Sequence, residues 1–327
     1  MERPENYNSI TMLDISGKYL TGLPSWVSEC TKLEKLNCSF NKITQIDNLP
    51  PTLKELYCCN NKITELNNLP QTLKILYCDN NKITHLDNLP LPPTLKILDC
   101  ENNYITLLNN LPSTIEQLSC GNNQLINLDN LPPTLVDLNC ENSYITQLDN
   151  LPPTLKLLYC GHNVITKLDN LPLTLKTLYC WNNQITQLDN LPQSLKILHC
   201  GTNQITQLNN LPQTLKILNC YYNKITHFDN LPLTLEKLDC GINKITHFDN
   251  LPQRLEYLDC VSNQITQLDN LPPTLKELSC SENKITQIDN LPETLKKLYC
   301  DNNPLKYEFE HTLENIRNYN NQNKLSK

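Results

Sequence analysis

Residues 211–230 read LPQTLKILNCYYNKITHFDN, and residues 231–250 read LPLTLEKLDCGINKITHFDN, which is almost the same line again. A cysteine marks the register of each copy, and the steps between these ladder cysteines are twenty residues except for the one from Cys78 to Cys100. The ladder cysteines are Cys38, Cys58, Cys78, Cys100, Cys120, Cys140, Cys160, Cys180, Cys200, Cys220, Cys240, Cys260, Cys280 and Cys300. A fixed period of this length predicts a stack of small structural units that share one core.

One copy, aligned on its cysteine, reads L-x-x-L-x-C-x-x-N-x-I-T-x-L-D-N-L-P-x-T. The alternation in Leu-x-Cys predicts a short, half-buried strand. Proline lacks an N–H and fixes φ, so the DNLPPT linker is predicted to be extended. About nine residues remain in each copy, which is too short for a capped helix. A single copy cannot bury its apolar side, and the core must therefore form by stacking.

Residues 53–70, LKELYCCNNKITELNNLP, resemble the leucine-rich-repeat pattern L-x-x-L-x-L-x-x-N-x-L, with cysteine in place of the third leucine. The Leu-Pro linker and the twenty-residue length resemble the short bacterial-type subclass found in secreted effectors of pathogenic bacteria. The asparagine-rich composition is similar to that of repeat proteins from giant amoebal viruses. The resemblance implies an α/β-type, mostly β solenoid: a single right-handed horseshoe of about 15 repeats. It would have a parallel concave sheet, an extended proline-containing convex side and a C-terminal capping helix.

The repeat pattern divides the chain into three predicted segments. Residues 1–32 form an N-terminal cap with an atypical first repeat, residues 33–305 form the array, and residues 306–327 form a capping helix and tail. Within the last segment, Phe309, Leu313 and Ile316 lie at helical spacing. The longer step before Cys100 is assigned to an additional Leu-Pro pair at about Leu91 and Pro92.

The ladder cysteines are predicted to point into the core, where a free cysteine acts as a small apolar side chain. Disulfides and metal sites are the alternatives, but stacked parallel side chains disfavour the bridging geometry, and no C-x-x-C spacing occurs. The asparagine three residues after each cysteine is predicted to bond to the turns on either side. Ser143 interrupts this asparagine row, so we expect a weak point there.

Composition and motifs narrow the function classes. The net charge of −7 argues against a nucleic-acid binder, which needs a basic surface. No stretch approaches ~20 apolar residues, so no membrane span is expected, and the N-terminus has no signal-peptide pattern. We find no nucleophile elbow, phosphate loop or carboxylate pair in a cleft, and no third metal ligand beside His227 and His247. The sequence therefore predicts a monomeric, cytoplasmic protein that is not an enzyme and carries no cofactor or metal, in the host cytoplasm if the source is a virus.

The candidate site lies where the copies differ, at the outward positions of the strands. Gly121, Gly161, Gly201 and Gly241 alternate with larger residues there and leave space around Trp181 and Tyr221. The candidate partner-binding residues are Tyr159, Tyr179, Trp181, His199, Tyr221 and Tyr222. Exposed Trp and Tyr are typical interface anchors, although tyrosines can also stack simply to shield a sheet.

These observations predict a non-catalytic scaffold that binds a protein through its concave face. The partner would be a host protein if the source is a pathogen or a virus. The alternative is a structural or decoy repeat protein without a specific ligand. The sequence names neither the partner nor the biological process.

Overall fold

The computed structural model describes residues 2–86, 91–228 and 230–325, which fall into two compact units, Met1–Val164 and Ile165–Lys327. The described part of the first unit contains eight three-residue strands: β1 (Met12–Asp14), β2 (Lys35–Asn37), β3 (Glu55–Tyr57), β4 (Ile75–Tyr77), β5 (Ile97–Asp99), β6 (Gln117–Ser119), β7 (Asp137–Asn139) and β8 (Leu157–Tyr159). A 3₁₀ turn at Ser25–Glu29 buries Trp26 and Val27 before β2. The first unit is thus a stack of repeats that begins with an atypical copy.

The described part of the second unit contains seven strands and one helix. The strands are β9 (Thr177–Tyr179), β10 (Ile197–His199), β11 (Ile217–Asn219), β12 (Lys237–Asp239), β13 (Tyr257–Asp259), β14 (Glu277–Ser279) and β15 (Lys297–Tyr299). The helix, α1, spans Leu313–Leu325. Within each unit, every strand pairs in parallel with the next one along the chain. The predicted fold class, a parallel-sheet leucine-rich-repeat solenoid with a C-terminal helix, is confirmed.

Strand register follows the repeat. Leu198 of β10 pairs with Leu218 of β11, and both side chains are buried while the residues on either side are half-buried. The period-two alternation of Leu-x-Cys therefore places leucine and cysteine inside. The outward residues form a second surface, the open face of the sheet.

The ladder cysteines lie inside, as predicted. Each is buried, and all sixteen cysteines of the chain are free thiols. The thiol of Cys58 donates to the carbonyl oxygen of Tyr77 at 3.3 Å, and the thiol of Cys240 donates to that of Asp259 at the same distance. Burial raises the pKa of thirteen of these thiols: Cys38, Cys58, Cys78, Cys100, Cys120, Cys140, Cys180, Cys200, Cys220, Cys240, Cys260, Cys280 and Cys300.

The asparagine row joins each repeat to the one before it. Asn203 Nδ2 donates to the carbonyl oxygens of Cys180, Cys200 and Gly201 at 3.0–3.1 Å. Its Oδ1 accepts from the amide of Ile185 at 3.0 Å. The partners therefore lie in the asparagine's own turn and in the preceding repeat, rather than on both sides as predicted, because the amide side chain reaches only backward along the stack.

Ser143 is the predicted gap in this row. Its side chain is 8 % exposed, and its hydroxyl has no hydrogen-bond partner. The serine side chain is shorter than that of asparagine and does not reach the carbonyls that an asparagine would bind. Its buried Oγ therefore stays without a hydrogen bond, which lowers stability. The expectation of a weak point at this position is supported.

A hydroxyl ladder, which the sequence analysis missed, ties the linkers together. Thr72 Oγ1 lies 2.8 Å from the carbonyl oxygen of Pro51 and 2.7 Å from that of Leu53. Thr214 makes the equivalent bonds to Gln193 and Leu195. The threonine two residues after most Leu-Pro pairs was the available signal, because it recurs with the same period; Ser194 and Arg254 replace it in two copies.

The two additional residues before Cys100 are not at Leu91 and Pro92, as predicted. Leu91 and Pro92 are buried in the standard Leu-Pro place, and the amide of Leu95 donates to the carbonyl of Pro92 at 3.0 Å. Leu73 makes the same bond to Pro70 one repeat earlier. The additional residues therefore precede Leu91, where residues 87–90 lie outside the described part.

The C-terminal helix begins at Leu313, so Phe309 lies before it and not on its buried face. Phe309 instead stacks on Tyr307 with ring centroids 5.0 Å apart. Ile316 is fully buried. Arg317 Nη2 donates to the carbonyls of Pro292 at 2.7 Å and Leu295 at 2.9 Å. The guanidinium thus donates to the carbonyls of the last linker, as a threonine hydroxyl does in the linkers between repeats.

We expect Arg317→Ala to lower the free energy of unfolding by about 1–3 kcal/mol, because carbonyls of the last linker lose their donor. Arg317→Lys should recover part of the loss. Urea unfolding measures the difference, and Asn318→Ala, an exposed position on the same helix, is the control. Equal stability of Arg317→Ala and the control would show that the helix closes the stack without this contact.

The predicted segment boundaries at residues 32/33 and 305/306 stay predictions. Residues 1, 326 and 327 lie outside the described part.

Candidate functional site

Five of the six predicted site residues lie in the second unit, on or beside the open face. Tyr179 ends β9 and His199 ends β10, so parallel pairing places them side by side. Their ring centroids are 4.5 Å apart and the rings are tilted by 38°. Both side chains are half-buried, and burial lowers the pKa of His199. The imidazole is therefore neutral at pH 7 and contributes an aromatic, uncharged surface.

The other three residues follow the ladder cysteines and are more exposed. The exposed fractions are 37 % for Trp181, 41 % for Tyr221 and 53 % for Tyr222. The rings of Tyr221 and Tyr222 have centroids 6.1 Å apart. Large aromatic side chains with this exposure on one face of a unit are the residue types that dominate binding energy at protein interfaces.

Glycines lie on both sides of Tyr221, in the preceding and following repeats. A Cβ at Gly241 would lie 3.2 Å from Tyr221 Cδ2, and one at Gly201 would lie 3.1 Å from the carbonyl oxygen of Tyr221. The ring of Tyr221 thus leans over the backbone of Gly241. The space that these glycines were predicted to leave is partly taken by Tyr221 itself.

Two isoleucines complete this surface, and the sequence analysis missed them. Ile197 and Ile217 are half-buried neighbours in register, at the first residue of β10 and of β11. Their alternation with a buried leucine was the signal that could have identified them. We call the set the aromatic surface; its members are Tyr179, Trp181, Ile197, His199, Ile217, Tyr221 and Tyr222.

Tyr159, the sixth predicted residue, ends β8 in the first unit and is half-buried. The first unit also contains a pair of stacked tyrosines. Tyr57 and Tyr77 have ring centroids 5.1 Å apart and nearly parallel planes, and the ammonium group of Lys35 lies 4.7 Å from the Tyr57 ring centroid. That pair matches the alternative interpretation, in which tyrosines shield the sheet.

The described residues contain no group of three or more His, Cys, Asp or Glu side chains arranged to hold a metal ion. The rings of Phe228 and Phe248 stack with centroids 6.4 Å apart, and His247 Nε2 lies 3.3 Å from Asp249 Oδ1. In the same part of the chain, no helix has both the length and the apolar character that crossing a bilayer requires.

A family model described as leucine rich repeats (2 copies) matches the sequence in three stretches, at residues 8–51, 173–213 and 253–293. No curated protein matches it significantly. Among solved structures it is similar to YopM, a leucine-rich effector protein from Yersinia pestis. That match has 33 % identity and a TM-score of 0.84, and it covers 93 % of this chain and 87 % of YopM.

Two further solved structures are similar. YopM from Yersinia enterocolitica has 26 % identity and a TM-score of 0.51, with 92 % of this chain and 89 % of that one covered. InlJ from Listeria monocytogenes has 29 % identity and a TM-score of 0.70, with 92 % of this chain and 65 % of that one covered. The functional domain of InlJ includes a cysteine ladder, the same feature that the fourteen buried cysteines form here.

Proposed function

Because the chain belongs to the leucine-rich-repeat proteins with bacterial-type repeats, we propose that it is a non-catalytic scaffold. It binds a protein partner through the concave face of its sheet, at the aromatic surface. Proteins of this family act as interaction scaffolds. The residues that the repeats of this chain share are mostly buried and form the core. Specificity must therefore be carried by the residues that vary between repeats.

One observation carries the proposal: Trp181, Tyr221 and Tyr222 are 37–53 % exposed in one unit, beside half-buried Tyr179 and His199. Exposed aromatic rings cost solubility, and soluble proteins keep clusters of them mainly at binding surfaces. The two isoleucines add apolar area at the strand position that precedes the column of Tyr179 and His199. A partner that covers this surface would bury several large side chains, and these are the usual hot-spot residues of an interface.

The finer features of the proposal rest on similarity. YopM is an effector protein, and by analogy the partner is proposed to be a host protein and the place of action the cytoplasm. A monomeric state, a pathogen or viral source and the similarity to repeat proteins of giant amoebal viruses remain predictions. Tyr159 is proposed as a further contact residue.

The second candidate function is a structural or decoy repeat protein with no specific ligand. The stacked pair Tyr57 and Tyr77 favours it, because those rings cover each other and the neighbouring strand. Under this alternative, the aromatic surface would only shield the sheet.

Affinity capture from amoebal and mammalian cell lysates, followed by binding measurements with purified components, separates the two functions. The test variant is Trp181→Ala/Tyr221→Ala. The matched control is Tyr104→Ala/Tyr144→Ala, which removes two aromatic side chains that are 50 % and 62 % exposed in the first unit. We expect the purified partner to bind the test variant at least about 30-fold more weakly, as the loss of two hot spots predicts.

The control variant should bind like the wild type. A partner that binds both variants equally well would contradict the proposed surface. The absence of any partner that binds the purified chain directly would favour the structural or decoy function.

A further inference from the structure

Two adjacent carboxylates border the aromatic surface. Asp239 ends β12 and Asp259 ends β13, and the two residues are direct partners in the parallel pairing. Asp239 in turn pairs with Asn219 of β11, two residues before Tyr221. Neighbouring strands lie about 4.8 Å apart. The two carboxylates therefore lie next to each other on the open face, one and two strands beyond the strand that precedes Tyr221.

Each carboxylate is held in place by the protein. Asp239 Oδ1 accepts from the amide of Gly241 at 3.2 Å, and its Oδ2 accepts from Asn219 Nδ2 at 2.8 Å. Asp259 Oδ1 accepts from the amide of Val261 at 3.1 Å, and its Oδ2 accepts from the Tyr257 hydroxyl at 3.3 Å. A carboxylate has about four acceptor positions, so lone pairs remain for an additional donor on the open face.

The negative charge is half-buried and has no cation of its own. In the described ranges, no lysine, arginine or histidine forms an ion pair with either carboxylate, including Lys237 on the same strand as Asp239. Burial raises the pKa of Asp239, and the nearby Asp259 raises it further. Two anions side by side without a counter-charge are unfavourable, and a bound cation would relieve the repulsion.

Gly241 brings an aromatic ring to the same place. The point where its Cβ would stand is 3.2 Å from Tyr221 Cδ2 and 3.4 Å from Asp259 Oδ1. The ring of Tyr221 and the Asp259 carboxylate therefore flank one position. We call Tyr221, Asp239 and Asp259 the Tyr221 corner. An aromatic ring beside carboxylates suits a basic side chain, whose charge pairs with the oxygens while the ring contacts its cation or its methylene groups.

The rim next to this corner carries backbone strain. The second residue after each ladder cysteine has a positive φ, and asparagine fills this position in seven of the fourteen repeats, as at Asn60 and Asn102. Tyr222 and Ile242 occupy the same position with φ of 53° and 47°. A β-branched or bulky residue at positive φ is an outlier that costs free energy. The β-branched Thr202 occupies the same position with a φ of 51°, so this strain recurs in other repeats and is not confined to the corner.

We propose that the Tyr221 corner binds a lysine or arginine side chain of the protein partner, next to apolar side chains of that partner on the aromatic surface. This inference rests on the proposed function and adds the chemistry of the partner segment to it. The occupant is a basic and apolar stretch of polypeptide. An acidic segment would meet uncompensated repulsion from Asp239 and Asp259.

A phage-displayed library of random dodecapeptides, selected on the full-length chain, tests this chemistry. Selected peptides are synthesised, and their dissociation constants are measured on the wild type and on Asp239→Asn/Asp259→Asn. The matched control is Asp99→Asn. Asp99 occupies the same repeat position in the first unit, is also half-buried, accepts from the amide of Glu101 at 3.1 Å, and has its pKa raised by burial. Circular dichroism checks that each variant is folded.

We expect peptides that contain lysine or arginine close to an aromatic or aliphatic residue. Their binding should weaken at least about ten-fold on Asp239→Asn/Asp259→Asn, as the loss of an interfacial charge pair predicts, and should weaken with added salt. Asp99→Asn should leave it unchanged. Peptides without basic residues, or equal binding to the wild type and the double variant, would overturn the inference. Equal weakening by Asp99→Asn would also overturn it.

A failure of the proposed function gives a different result from a failure of the basic preference. If the selected peptides lose affinity on Trp181→Ala/Tyr221→Ala but tolerate the loss of both carboxylates, the aromatic surface stands and only the basic preference is wrong. If they tolerate Trp181→Ala/Tyr221→Ala, or if the library yields no binder, the proposed surface itself is wrong.

Discussion

The folded chain is expected to lose its stability abruptly between about pH 9 and pH 10, because unfolding exposes thiols that cannot ionise in the core. The thirteen ladder cysteines named above have a pKa raised from 9.0 by burial, to about 12 for Cys38 and Cys200 and about 11 for Cys300. In the unfolded chain they titrate near 9.0. The stability they contribute is therefore complete below that pH and is lost as the pH rises above it.

The number of thiols makes the effect large. At pH 9 about half of the exposed thiols would be ionised, so unfolding would release about six protons and stability would fall by roughly 9 kcal/mol per pH unit. This slope is comparable to the whole stability of an ordinary domain. The response is therefore expected to be far steeper than for a protein with one or two buried thiols.

Urea unfolding at several pH values from 8 to 9.5, with a reductant present, measures the slope. The comparison is Cys200→Ala/Cys220→Ala/Cys240→Ala, which removes three buried thiols in adjacent repeats. Its slope should be shallower by about a quarter, whatever its stability at pH 7. A wild-type slope that corresponds to one proton or fewer would contradict a dry interior column of thiols.

The second large effect concerns the asparagine row, where one substitution should weaken the chain and its reverse should strengthen it. Asn203→Ser should lower the free energy of unfolding by about 3–4 kcal/mol, because one buried amide and three carbonyls lose their partner. Ser143→Asn should raise it by about 1–2 kcal/mol. An asparagine there would reach the carbonyl of Cys120 in the preceding repeat, as Asn203 reaches Cys180.

Both variants are compared by urea unfolding and by the midpoint of thermal unfolding. Asn209→Ser, at an exposed position of the linker that follows Asn203, is a control for replacement of an asparagine outside the row. If Ser143→Asn is destabilising, the turn at 143 has adapted to serine, and the interpretation of the unsatisfied hydroxyl is wrong.

The sequence predicted the interior well because burial repeats with the chain. Cys220 and Asn223 each have counterparts at the same position of the other repeats. The pattern and polarity that predict burial in one copy therefore predict it in nearly all of them. The threonine ladder was missed because a hydroxyl in a linker can equally bond to water. Phe309 was misplaced on the helix because its spacing suits a helix, whereas stacking on Tyr307 holds it before the first turn.

The candidate site was predicted in part for the same reason. Tyr179, Trp181 and His199 could be assigned to one face, since register follows the period. The Tyr221 corner could not be predicted, because it depends on how far a ring leans into the next repeat. The absence of a Cβ at Gly241 leaves room for that inclination, because a Cβ there would lie 3.2 Å from Tyr221 Cδ2. The exposure of the Tyr221 ring therefore depends on two neighbouring repeats and cannot be read from one copy alone.

The backward direction of the asparagine and threonine bonds has an evolutionary consequence. The asparagine and threonine of each repeat bond to the preceding repeat in the same way, so a gene can gain or lose a whole repeat by unequal recombination without creating a new kind of junction. Spacing can drift as well: Asn103 still donates to the carbonyl of Cys78 at 3.1 Å across the lengthened copy. Copy number is thus a heritable variable that adjusts the length of the open face while each remaining repeat keeps its contacts.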